Sequence, residues 1–160
     1  MEYIIIPLSV ALGLTGYGLA ARWYIIPALD AHPRTSALIT LTLPHVLRYI
    51  GLAFLAPGVV AADLPSAFAV PAAYGDLLTA FLALLAVLAL RKHWVIAIAT
   101  VWVFNVVGTV DLLNALLQGL LNIQRVGQLG GAYLIPTLIV PAYLVSHILI
   151  FRILFKRASV

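Results

Sequence analysis

Apolar residues run along this chain in long blocks, broken by short polar or proline-rich stretches. Five blocks are long enough to cross roughly 30 Å of hydrocarbon at about 1.5 Å per residue. They predict helices near residues 3–24, 37–60, 74–90, 95–120 and 132–154. The blocks are too long and too continuous for the alternating strands of a membrane barrel.

The breaks carry their own signals. PALDAHPRTS holds Pro27 and Pro33, which should end the first helix, and Thr35 or Ser36 to cap the second. ADLPSAFAVP is bounded by prolines yet apolar, and is expected to lie at the membrane interface. RKHW is a tight basic turn. NIQRVGQLGG is polar and glycine-rich.

Composition fixes the class. Of 160 residues, 64% are hydrophobic and 9% charged, against about 25% charged in a soluble domain. The expected fold is all-α: a polytopic membrane protein, one five-helix domain over residues 1–160. The start, Met-Glu-Tyr, lacks the basic region of a secretory signal, so the first block is expected to stay as a helix. With no cysteine, thiolate metal sites and covalent haem attachment are excluded.

Charge gives direction. Arg22, Arg34, Arg91, Lys92, Arg152, Lys156 and Arg157 fall in the first and third connections and the C-terminal segment. Only Arg125 falls on the other side. Excess Lys and Arg mark the cytoplasmic side, so the N-terminus is expected outside and the C-terminus inside. The predicted location is the cytoplasmic membrane of a prokaryote. The net charge of +4 reads as topology and as attraction to anionic lipid at the inner face, not as nucleic-acid binding. Trp23, Tyr24 and Trp94 should anchor the inner interface, and Tyr3, Tyr74 and Tyr133 the outer one. Gly13, Gly16 and Ala20, with a run of alanines in the third block, offer packing faces to helices of this chain or of a second copy.

The polar exceptions lie inside the blocks. LTLPHVLRYIGLAFL carries His45 and Arg48 in the second helix. A charge at a helix centre costs about 2.5–3.5 kcal/mol on insertion scales, and such a group is by default a functional candidate. Counted from the inner ends of their helices, His45 and His147 both sit about 12 Å deep, Arg48 and Asn105 about 16 Å, and Asp111 about 25 Å. At about 100° per residue His45 and Arg48 share a face, flanked by Thr42 and Tyr49. Tyr143 and His147 form an i, i+4 pair; Asp111, Asn114 and Gln118 form a stripe. Asn105 lies about 120° from Asp111, so one narrow face cannot carry both. Arg48 is expected to pair with Asp111 across an axial gap of about 9 Å. Asp76 is read as a cap at the outer start of the third helix, and Asp63 and Glu2 as surface groups. His32 and His93 are read as solvated. Pro44 and Pro141 are expected to kink their helices and free the carbonyls of Thr40 and Thr137.

Several functions fit these residues. The first is binding or conduction of a small molecule or protons through His45, Arg48, Asn105, Asp111, Asn114, Tyr143 and His147. The second is a b-type haem held by His45 and His147, with Arg48 on a propionate; no other metal site is expected. The third is a structural subunit whose polar residues lock the helices, the economical reading for each histidine taken singly. An enzyme acting on a lipid-soluble substrate is a further reading, in which a hydrolase is disfavoured because no H-E-x-x-H, G-x-S-x-G or close carboxylate pair is present, while an isomerase or reductase stays open. Neither a retinal-type buried lysine nor a phosphate-binding glycine loop occurs.

Overall fold

The computed structural model describes residues 2–156, with side chains from Ile4 onward. Arg157 and the side chains of Glu2 and Tyr3 lie outside that description. Among the described residues the chain is all-helical, with five helices long and apolar enough to cross a membrane. We label them α1 (Ile4–Asp30), α2 (Arg34–Leu55), α3 (Ser66–Arg91), α4 (Ala97–Asn122) and α5 (Ile135–Phe155).

Helix α1 runs past Pro27, where the sequence predicts a break. The chain widens into a π turn over Ala21–Ile25, closed by the Ile26 N–H on the Ala21 carbonyl. That turn hands the chain to Pro27, and the helix continues through the proline to Asp30. The same device recurs in α5: a π turn over Ile135–Ile139 precedes Pro141. Here α1 and α5 meet, because Gly13 has no side chain to hold off the Pro141 ring and the Thr137 carbonyl. Gly16, predicted to pack, has an open face. Pro33, not Thr35 or Ser36, immediately precedes α2.

Helix α2 changes type midway. It is α-helical over Arg34–Thr42 and 3₁₀ over Leu43–Leu55. Pro44, at the junction, cannot donate a backbone hydrogen bond. Runs of 3₁₀ longer than three or four residues are uncommon, because their hydrogen bonds are poorer. This one fits its sequence: a 3₁₀ helix stacks every third side chain, and Thr42, His45, Arg48, Gly51 and Phe54 are the buried row. Tyr49, expected beside them, is exposed.

Helix α3 starts at Ser66, about two turns earlier than the sequence predicts. Pro65 precedes its first turn, Pro71 is accommodated inside it, and the stretch read as an interfacial loop is largely helix. Its alanines Ala72, Ala73, Ala80, Ala83, Ala86 and Ala89 are buried, and small side chains let α2 and α4 approach on either side. Helices α2 to α5 surround the core, while α1 lies against α5 with little of its surface covered.

The two ends differ. At one, Asp30 accepts from Arg152 at 2.7 Å and Lys156 at 3.0 Å, and Arg34 reaches the Leu154 carbonyl. At the other, Asp63 accepts from Arg125 at 2.5 Å, and the Gly131 N–H bonds the Val59 carbonyl. Gly130 has φ of 48° and stands where a Cβ would strike that carbonyl.

Candidate functional site

Arg48 is fully buried near the middle of α2. Its Nε donates to Asp76 Oδ1 at 2.7 Å, and Nη2 lies 2.7 Å from the same oxygen. Nη2 also donates to Asp111 Oδ2 at 2.5 Å. Nη1 donates to the Gly108 carbonyl at 3.2 Å and faces His147 Nε2 at 3.5 Å. One guanidinium therefore ties α2 to α3, α4 and α5.

Asp76 is the member the sequence reading missed. It is not a cap. Because α3 begins at Ser66, Asp76 lies well inside the helix, buried against Gly51. A visible signal existed: Gly51, one 3₁₀ turn beyond Arg48, leaves room for a side chain from the neighbouring helix. Two further glycines do the same. A Cβ at Gly75 would collide with Asp111, and one at Gly108 with the His147 ring at 2.7 Å and Thr79 at 2.8 Å.

The expected 9 Å gap to Asp111 closes for two reasons. A 3₁₀ segment rises about 2.0 Å per residue instead of 1.5, which carries Arg48 about 3 Å further along α2. The extended arginine side chain covers the rest. The angular difficulty on α4 resolves as well. His147 takes Asn105, while Arg48 takes Gly108 and Asp111, so two partners share the load.

The two histidines meet. Their ring centroids are 4.4 Å apart. Tyr143 stacks on His45 at 4.5 Å, and Phe104 closes on both rings at 5.0 and 5.3 Å. Hydrogen bonds assign the tautomers. Asn105 Nδ2 donates to the His147 carbonyl, so Asn105 Oδ1 accepts from His147 Nδ1–H at 2.7 Å. His147 Nε2 then turns its lone pair to Arg48. Ser146 donates its single hydroxyl proton to the Leu41 carbonyl at 3.1 Å, so His45 Nε2–H donates to Ser146 Oγ at 3.1 Å. The Leu41 carbonyl, not that of Thr40, accepts this side-chain hydrogen bond. In a 3₁₀ turn its donor would be residue 44, and Pro44 has none. Tyr143 donates to the Pro44 carbonyl at 3.0 Å.

Three buried polar atoms in this region lack a protein partner: His45 Nδ1, Thr42 Oγ1 and Thr79 Oγ1. A void of about 20 Å³ touches Asp76. Asn114 does not join the cluster; it is exposed on α4. Gln118 instead accepts from Asn122.

The arrangement does not fit a haem between His45 and His147. The imidazoles touch each other, leaving no gap for a porphyrin, and each Nε2 is turned to another group. Arg48, the expected propionate partner, is fully engaged. Among the described residues no group of three metal-binding side chains converges.

No curated protein and no solved structure matches the chain. A family model described as a domain of unknown function, DUF8737, matches residues 5–155. That span covers nearly the whole chain, so the protein belongs to the DUF8737 family.

Proposed function

We propose that this membrane protein takes up and passes protons through the Arg48–Asp76–Asp111 cluster and its two histidines. One observation carries the reading: a single guanidinium faces two carboxylates. A structural clasp needs one carboxylate. The second leaves a negative charge uncompensated deep in the bundle, where unpaired charge is costly. A bound cation restores the balance.

Size selects the cation. The void beside Asp76 is about 20 Å³, enough for about one water and too small for an organic ligand. The cluster as packed therefore admits a proton. His45 Nδ1, which has no partner, and His147 Nε2, which faces Arg48, supply acceptor nitrogens beside the cluster. The orphaned atoms of His45, Thr42 and Thr79 would extend a water path toward the end of the bundle that holds Arg34 and Arg152. In this reading that basic end faces the cytoplasm and anionic lipid, and the N-terminus lies outside.

A second reading rests on a specific observation: every guanidinium nitrogen of Arg48 already has a protein partner. The cluster would then be a clasp for four helices. Proteoliposomes with an entrapped pH dye separate the two. Under an imposed gradient, wild-type protein should carry protons and Asp111→Asn should not. Wild-type vesicles no leakier than empty ones would leave the clasp.

A further inference from the structure

A separate cavity has no part in the proton reading. It is a groove of about 380 Å³ between α1 and the outer half of α4, at the end that carries Asp63 and Arg125. Val10 and Leu14 form one wall, and Gly119, Leu120 and Ile123 the other. Its surface is almost wholly apolar until the mouth, where Gln124 and Arg125 enter the lining.

Most of both walls belongs to helices long and apolar enough to span a membrane; in a bilayer, that stretch of the groove faces lipid. Its length lies along the helices, parallel to the hydrocarbon chains of a bilayer. The Arg125 side chain is 67% exposed and bound to Asp63 through one nitrogen. Its remaining donors are free to meet phosphate oxygens, for which a planar guanidinium is well shaped. Gly119 keeps the groove open: a Cβ there would meet only ordinary contacts at 3.6 Å, so the fold tolerates a side chain but the groove does not need one.

We propose that this groove holds one acyl chain of a bilayer phospholipid, with its phosphate at Arg125. The occupant combines the two chemistries the site presents, an apolar slot at membrane depth and a cation at the headgroup level. The chain would cover Phe68, Ala115, Leu116 and Pro136, which also line the void beside Asp76. It would thereby cover the side chains that stand between the groove and that void.

Native mass spectrometry of the purified full-length protein, delipidated and then titrated with phosphatidylglycerol or with diacylglycerol, tests this. Wild type should retain one phosphatidylglycerol per chain under activation that strips other lipid, and should not retain diacylglycerol. Gly119→Trp, which fills the groove, should retain neither. Arg125→Gln should lose the preference for the phosphate-bearing lipid. Equal retention by wild type and Gly119→Trp would mean that the lipid is merely annular and would overturn the proposal. So would an unchanged preference in Arg125→Gln. Proton flux plays no part in these readouts, so either proposal can fail alone.

Discussion

Arg48 and Asp76 join the middles of α2 and α3 through a 2.7 Å hydrogen bond from Nε to Oδ1. Both residues are buried, and the same guanidinium holds Asp111. Removing a buried partner leaves its counter-charge unpaired, at a cost of about 3–5 kcal/mol. Arg48→Leu strands two carboxylates, so it should lie at or above the top of that range. Asp111→Asn leaves Arg48 paired with Asp76 and should cost distinctly less. Thermal unfolding in detergent should rank them wild type, Asp111→Asn, then Arg48→Leu. Equal melting temperatures for wild type and Arg48→Leu would contradict the ion-pair geometry.

The pair at the other end should behave differently. Arg125 and Asp63 approach to 2.5 Å, yet their side chains are 67% and 52% exposed. Exposed pairs contribute about 0–1 kcal/mol, because solvent and salt screen them. Asp63→Asn should shift stability within that range, and added salt should shrink the shift further. Asp111→Asn should be far less sensitive to salt.

Glycines seat the charged groups, and their replacement gives a graded test. Gly51→Ala and Gly75→Ala drive a methyl into Asp76 and Asp111, and Gly108→Ala drives one into His147. Overpacking of this kind typically costs about 1–3 kcal/mol. Gly16 meets nothing within 4 Å, so Gly16→Ala should be neutral or stabilise by about 0.5–1 kcal/mol through helix propensity. The four melting temperatures, read together, separate a packing effect from a general response to alanine.

Much of this architecture is legible in the residues. Five apolar blocks locate the helices, and intramembrane cost singles out Arg48. Counting rise from the ends places His45 and His147 at one depth, and they do touch. What the sequence hides is the change of helix type. A 3.6-residue period puts Tyr49 beside His45, whereas the 3₁₀ turn puts Gly51 in line with Arg48. Proline also misleads in both directions. Pro27 and Pro71 look like boundaries, but a π turn absorbs the first and α3 runs through the second. The second error moved the start of α3 and so turned Asp76 from a buried ion-pair partner into a surface cap.

Asn105 is predicted to hold the His147 tautomer. It accepts from Nδ1 and donates to the His147 carbonyl. Asn105→Leu removes both bonds while keeping volume; the His147 carbonyl lies within its own helix, but the buried Nδ1–H is left bare, at a cost of about 1–3 kcal/mol. Nitrogen-15 spectra of histidine-labelled protein should show a protonated Nδ1 at His147 in wild type and lose that signature in the variant. A wild-type Nε2–H signal would invert the assignment.

Ser146 is coupled to Pro44 through the Leu41 carbonyl. Ser146 donates to the Leu41 carbonyl and accepts from His45 Nε2. Ser146→Ala should therefore cost about 1–3 kcal/mol, the usual penalty for bare buried polar groups. The Leu41 carbonyl depends on Ser146 because residue 44 has no N–H to offer in the 3₁₀ turn. Pro44→Ala supplies that donor. In the double variant the carbonyl is satisfied from its own helix, and only His45 Nε2 stays unpartnered. Ser146→Ala should then destabilise less in the Pro44→Ala background than in wild type, an interaction of about 0.5–3 kcal/mol in a double-mutant cycle. Strict additivity would mean that the Leu41 carbonyl draws nothing from Ser146.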